Sequence, residues 1–302
     1  MQKLLIVGCG DVARRLLPRL LGHYRVYTLV RDPAQLAFWR EQGSIPILAD
    51  LDRPDTLQRV AGLAEVIVHL APPAARQAGG QGSRGDSRTR HLLAALASGL
   101  SLPQRLVYIS TSGVYGDCAG ARVDETRVPC PATPRAYRRL DAERQLRAFG
   151  RRSGVVVSIL RAPGIYAADR LPIERLRRGV AALRKVDDVY TNHVHADDLA
   201  RITHAALRYG RSNRSYNASD DSEIRMGDYF DLVADRLGLP RAPRLSRREA
   251  QALLSPMQLS FMSESRRLVN QRIKQELRVK LRYPRVEDGV AAAAHERKHQ
   301  CS

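Results

Sequence analysis

Over 302 residues, 50 Lys and Arg against 31 Asp and Glu leave a net charge of +19, while 44% hydrophobic residues suffice for a packed core; this excludes a fibrous or largely disordered chain. No apolar run approaches the ~18 residues that cross a bilayer. The leading run Leu4–Val7 is also too short for a secretory signal, so a soluble chain that stays where it is made is expected. Cys9, Cys118, Cys130 and Cys301 show no ligand spacing. They predict neither zinc nor a disulfide framework and fit a reducing cytoplasm. Only 5 of the 50 cationic residues are lysine, the arginines are spread along the chain, and aromatics make up 5%. Without a stacking platform or a basic tail, nucleic acid is the weaker reading of the charge and a membrane partner is not expected.

In chain order, Lys3–Val7 reads as a fully buried strand, Asp11–Leu21 as a helix, Arg25–Val30 as a second strand and Ile45–Ala49 as a third. A helix is predicted to open at Pro54, with Asp52 as its cap. Glu65–Ala71 is a fourth strand, stopped by Pro72 and Pro73, and a Gly79–Gly85 loop leads into a helix over 86–98. Arg105–Ser110 is a fifth strand, 134–149 a helix, and Val155–Arg161 a sixth strand. Beyond it come isolated strand pieces, Asp188–Thr191 and Arg214–Ser219, and a helix from Glu287. Strands that alternate with crossovers predict an α/β fold, a Rossmann-type doubly wound parallel sheet. Residues 1–161 are expected to form the dinucleotide-binding domain, completed by parts of 186–220. Residues 162–302 are expected to form a smaller, mainly helical lobe interleaved with it.

The first strand runs directly into Gly8-Cys9-Gly10-Asp11-Val12-Ala13 and then a helix. This is G-x-G-x-x-G/A in its required context: Gly8 for the tight turn, Gly10 for close approach of a pyrophosphate, Ala13 for helix-on-strand packing. Val12 lies in the same loop. Asp11 belongs to it too, although its carboxylate is expected to cap the helix. After strand two stands Val30-Arg31-Asp32-Pro33. Arg31 suits the 2′-phosphate of NADP by bidentate pairing, and Asp32 keeps NAD open; NADP is the favoured cofactor. Asp50 and Leu51, after strand three, are placed to line an adenine pocket.

Five segments then recur in order: the Gly8–Ala13 loop, His69-Leu70-Ala71, Ser110-Thr111-Ser112-Gly113-Val114-Tyr115-Gly116, Leu160-Arg161-Ala162-Pro163-Gly164-Ile165-Tyr166 and His193-Val194-His195-Ala196-Asp197-Asp198. Over about residues 3–220 the chain resembles the extended short-chain dehydrogenase/reductase superfamily, in its nucleoside-diphosphate-sugar epimerase/dehydratase branch. The resemblance implies hydride transfer between a nicotinamide cofactor and a carbohydrate, a sheet of six or seven strands and a C-terminal substrate lobe. Leu70, Ala71, Pro163 and Gly164 are implied to line the cofactor; Ser112, Tyr115, Asn192 and His193 to face a small-molecule substrate. A homodimer through the helices at 86–98 and 134–149 is a further implication, although both are rich in arginine.

Active relatives pair a Ser/Thr with a Tyr-x-x-x-Lys, in which the lysine lowers the phenol's pKa. Thr111 keeps the hydroxyl. Tyr137 lies 26 residues later, but Asp141 stands where the lysine belongs. An alternative alignment on Ala142-Glu143 puts Arg135 in the tyrosine slot and Arg139 in the lysine slot. The expected catalytic set is Thr111, Tyr137 and Arg139, with Arg139 at the nicotinamide ribose. The degenerate pair leaves open a dinucleotide-binding protein without robust catalysis. His193 and His195 find no third ligand of suitable spacing, and no metal is expected.

Overall fold

The computed structural model describes residues 1–74 and 84–300; most of the expected Gly79–Gly85 loop and Cys301 lie outside them. Seven strands form one sheet: β1 (Gln2–Val7), β2 (Tyr24–Val30), β3 (Ile45–Leu48), β4 (Val66–His69), β5 (Arg105–Thr111), β6 (Val156–Ala162) and β7 (Arg214–Asn217). Their spatial order is β7-β6-β5-β4-β1-β2-β3, and every pairing is parallel. The order reverses beside β1, where ligands bind in open α/β sheets, outside the carboxyl ends of the strands.

A parallel sheet buried on both faces needs apolar side chains at successive positions, one for each layer. Leu4 and Ile6 of β1 join a cluster with Leu16, Leu20, Leu199 and Ile202. Leu5 and Val7 join one with Leu92, Leu96, Leu146 and Phe149 on the opposite face. The first layer is α1 (Asp11–Leu20) with α4 (Ala196–Tyr209); the second is α2 (Ser87–Ala97) with α3 (Pro134–Ser153). Ala13, Leu16, Leu17 and Leu20 of α1 are buried, the helical period the sequence shows.

Local chemistry sets the helix ends that position the site. Asp86 caps α2, accepting the N–H of Arg88 at 3.1 Å. Thr133 caps α3, accepting from Ala136 at 3.2 Å, and Gly154 ends it in the left-handed conformation at φ 72°.

Several expectations are corrected. The Arg214–Ser219 piece shortens to β7 and joins the sheet edge, Arg214–Asn217 pairing in register with Ser158–Arg161. Pro54–Val60 form a 3-10 turn, and Asp52 does not cap it; its carboxylate is drawn to Arg88, whose Nε donates at 2.8 Å. Asp11 does not cap α1, whose capping position is Gly10 with no side-chain bond. A short helix at Leu36–Glu41 follows β2, a segment given no helix from the sequence. The expected strand at Asp188–Thr191 shrinks to Tyr190–Thr191, antiparallel to Ile224–Arg225.

A separate apolar cluster of Tyr166, Leu171, Leu176, Phe230, Val233, Val286 and Val290 lies beyond the sheet, in the C-terminal half of the chain. The outward positions Arg90 of α2 and Arg144 of α3 are exposed. Among the described residues no helix is long and apolar enough to cross a membrane.

Candidate active site

A cleft of about 530 Å³ opens at the carboxyl ends of β1 and β2. Its walls bring together Gly8, Gly10, Asp11, Val12, Ala13, Arg31, Asp50, Leu51, Leu70 and Ala71. Pro163 and Gly164 are not in its lining, although their neighbour Ile165 is. Gly164 is tied instead to the 193–195 segment, its N–H donating to the Asn192 carbonyl at 3.1 Å.

The two loop glycines act differently. Gly8 sits at φ 101°, and a Cβ there would stand 2.3 Å from the Ala71 amide nitrogen; no other residue fits. A Cβ on Gly10 would meet nothing within 4 Å. That opening lies beside the first turn of α1, whose N–H groups carry no side-chain cap. Unclaimed amide donors, the positive end of a helix and backbone bare enough for close approach are what a diphosphate requires. The residues present therefore fit a dinucleotide.

Cys9, within the loop, donates its thiol to the Leu29 carbonyl at 3.2 Å. Burial pushes that thiol up to about 12, so it is an inert packing group at neutral pH. Asp50 accepts the N–H of Asp52 at 3.0 Å. Asp32 accepts that of Ala34 at 3.0 Å and so caps the turn Pro33–Gln35. Arg31 is exposed and forms no ion pair among the described residues. Arg88 and Arg170 also line the cleft; the sequence reading missed both, since neither is near the loop in the chain.

At the end of β5, Thr111 Oγ1 accepts the Gly113 N–H at 3.2 Å, which leaves its own proton to donate. The first turn of α3 lies against this bend: Ala136 Cβ is 3.8 Å from where a Gly113 side chain would begin.

The two alignments use different faces of α3, because residues four apart share a face while residues two apart lie nearly opposite. Arg139 is 7% exposed. Its Nη1 donates to the carbonyls of Ala71 at 3.3 Å and Ile109 at 2.9 Å, and to the Tyr108 hydroxyl at 3.0 Å. Arg135, four residues earlier, lies on the same stripe and is exposed. Tyr137 shares the other stripe, with Asp141 and Gln145, which bond the backbone of Asp86 at 2.7 and 3.0 Å. The Tyr137 ring stacks under the Arg84 guanidinium at 4.2 Å. The helix face of Tyr137 thus carries it toward α2, whereas Arg139 reaches the ends of β4 and β5.

Three of the residues expected to face a substrate are buried and hold partners within the protein. Tyr115 is 1% exposed, and its hydroxyl donates to Asn217 at 2.8 Å. Burial pushes that phenol up to about 12. The Asn192 amide is engaged at both ends, donating to the Arg266 carbonyl at 2.9 Å and accepting from the Leu268 N–H at 2.8 Å. His193 is buried against Tyr229, with ring centroids 4.3 Å apart, and desolvation lowers it to about 3. Ser112, the fourth, is 4% exposed.

His69 is likewise buried, bonding Thr89 Oγ1 at 3.0 Å, and Thr89 bonds Asp86 at 2.7 Å. Arg161 forms a buried bidentate pair with Glu143, at 3.1 and 2.7 Å. Asp198 holds the N–H groups of Arg282 and Tyr283, each at 2.8 Å. Among the described residues no three His, Cys, Asp or Glu groups converge as metal ligands.

A Rossmann sheet with a glycine-loop cleft at its switch point defines a dinucleotide-binding class of protein. Residues 4–219 match the model of the NAD-dependent epimerase/dehydratase family, and the chain belongs to that family. No curated protein matches it. Among solved structures, it is similar to a functionally unknown conserved protein from Silicibacter pomeroyi, at 29% identity over 99% of this chain and 100% of that one, TM-score 0.82. The UDP-glucose 4-epimerase of Thermotoga maritima, solved with UDP-glucose, shares 18% identity over 99% and 100%, TM-score 0.79. The UDP-glucuronic acid 4-epimerase of Bacillus cereus, solved with NAD, shares 19% over 99% and 100%, TM-score 0.74. At these lower identities the likeness carries the fold.

Proposed function

We propose that this chain binds a nicotinamide dinucleotide in the Gly8–Ala13 cleft, NADP in preference to NAD, and uses it for hydride transfer on a polar, nucleotide-sugar-like substrate. The observation that carries the reading is the open space at Gly10 beside the uncapped amides of α1. When bound, the dinucleotide supplies the hydride acceptor or donor. The α1 amides hold its diphosphate. Arg31, exposed at the end of β2 and free of any ion pair among the described residues, pairs a 2′-phosphate. Asp32 is engaged in capping its own turn, which weakens its claim on a ribose hydroxyl.

Thr111 orients the reacting substrate oxygen through its free hydroxyl proton. Arg139 holds a fixed positive charge where relatives place a lysine, beside the nicotinamide end. The Arg135 guanidinium donates hydrogen bonds but stays charged at any working pH, so it cannot take a proton, and water carries the proton instead. The segments after β6, gathered around the Tyr166–Val290 cluster, form the lobe that holds the substrate.

Arg135 in the tyrosine slot favours one second reading: a dinucleotide-binding protein with little turnover. The two separate in one experiment. The protein is incubated with reduced and oxidised NAD and NADP and a panel of nucleotide sugars; absorbance is followed at the reduced-nicotinamide band and the sugar products are resolved by chromatography, because an epimerase or dehydratase returns its hydride and leaves no net change in absorbance. Turnover that falls at least tenfold in Thr111→Ala supports the enzyme. Tight dinucleotide binding with no exchange on any sugar supports the second reading.

A further inference from the structure

Opposite the glycine loop, the cleft wall is completed by Ile165 and Arg170. Arg170 ends the single turn Ala168–Arg170, on the connection that leaves β6. Its Nη1 lies 3.1 Å from Oδ2 of Asp11, the first residue of α1. The other Asp11 oxygen accepts from Arg15 Nε at 3.0 Å. Arg15 is committed further, to Asp197 at 2.8 Å and Asp169 at 3.2 Å. Three carboxylates thus share two guanidinium groups, directly beside the amides of α1.

Asp11 is badly placed for a diphosphate, because its charge repels the ligand those amides attract. Arg15 cannot relieve this without leaving three carboxylates. Arg170 can: Asp11 is its one ion-pair partner among the described residues, its side chain is 40% exposed, and most of its five donors remain unused.

We propose that Arg170 is the residue that closes on the cofactor's diphosphate, exchanging the Asp11 carboxylate for phosphate oxygens, and that Asp11 sets the affinity by competing for it. This rests on the dinucleotide reading above and adds a binding residue contributed from outside the first 161 residues. Affinity for the cofactor is then coupled to the connection that enters the C-terminal half of the chain.

The test is a set of titrations of the full-length protein with NADPH and with ADP-ribose, which carries the diphosphate without nicotinamide. Arg170→Gln is expected to weaken both ligands about tenfold or more, the loss of a charge-assisted hydrogen bond. Asp11→Asn is expected to tighten both several-fold, and to tighten them less once Arg170→Gln is also present, because one of its two effects is then gone. Melting temperatures within a degree or two of wild type show that the fold is intact. If Arg170→Gln binds within twofold of wild type, Arg170 only neutralises Asp11 and the proposal is overturned while the dinucleotide reading stands. If wild type binds neither ligand, both fall together.

Discussion

Arg139 Nη1 lies 3.3 Å from the carbonyl oxygen of Ala71, the residue whose amide nitrogen stands 2.3 Å from where a Gly8 side chain would begin. The glycine loop, the end of β4 and one stripe of α3 therefore meet at a single backbone segment. That contact brings the Arg139 stripe of α3 against the cleft wall, which is the ground for the roles proposed above.

The loop glycines should separate stability from binding. Gly8→Ala meets backbone at φ 101° and should cost about 2–4 kcal/mol through strain and overpacking. Gly10→Ala meets nothing and should change stability by less than about 0.5 kcal/mol. Urea denaturation of the two variants checks this. Equal losses at both positions would mean that the loop is packed differently.

The Arg161–Glu143 pair is 3% and 1% exposed at its two ends and lies in the core. It is structural. Glu143→Gln leaves a buried guanidinium without its counter-charge and should cost about 3–5 kcal/mol. The double change Arg161→Met, Glu143→Leu should cost clearly less, since no charge is then stranded. Denaturation midpoints that rank the double change as the worse one would refute this.

Acid should weaken the fold through its buried histidines. Burial, with help from the Arg139 charge, lowers His69 from 6.5 to about 3. In the unfolded chain it titrates at its ordinary value, so between pH 6.5 and 3 the unfolded state binds more protons. Stability then falls with pH by up to about 1.4 kcal/mol per unit for this one group. Burial pushes Asp220 upward and acts in the opposite sense. The informative quantity is therefore the difference between wild type and His69→Gln, measured by urea denaturation at pH 7.5, 6 and 5. The wild type should lose more stability than the variant on acidification; parallel curves would contradict the assignment.

Arg31 should decide between the two cofactors. Arg31→Ala is expected to weaken NADPH about tenfold, and NADH by no more than twofold, because only the former has a 2′-phosphate to pair. Equal effects on both would place Arg31 outside the adenosine pocket.

Much of this was legible in the sequence, and the failures have physical causes. Gly8–Ala13 could be read because a tight turn and a bare backbone demand glycine at fixed spacing. The double-faced sheet could be read because Leu4-Leu5-Ile6-Val7 offers no polar face. The helix at Leu36–Glu41 was hidden because six residues between Pro33 and Gly43 carry too little periodicity. Spacing alone could not choose between Tyr137 and Arg135. The folded helix adds that Arg139 and Asp141 contact different segments, Ala71 and Asp86, which the spacing does not show. Asn192 and Tyr115 carry site-like side chains whose polar atoms are taken up by Arg266, Leu268 and Asn217, partners far away in the chain. Arg170 reaches Asp11 across 159 positions, and no local pattern signals such a contact.

The charge excess changes meaning in the folded chain. Arg31, Arg88 and Arg170 line the dinucleotide cleft, Arg139 supports its floor, and Arg161 is locked in the core. These positions give part of the arginine content a specific structural place.

The most direct test is a fluorescence titration of the purified protein with NADPH and NADH, wild type beside Gly10→Asp. Asp is compatible with the extended backbone at this capping position and meets no protein atom, so the variant should melt with the wild type. Saturable binding to wild type, with NADPH the tighter ligand, and loss of both in Gly10→Asp is the predicted result. Binding that survives Gly10→Asp unchanged, or no binding to wild type at all, would contradict the account.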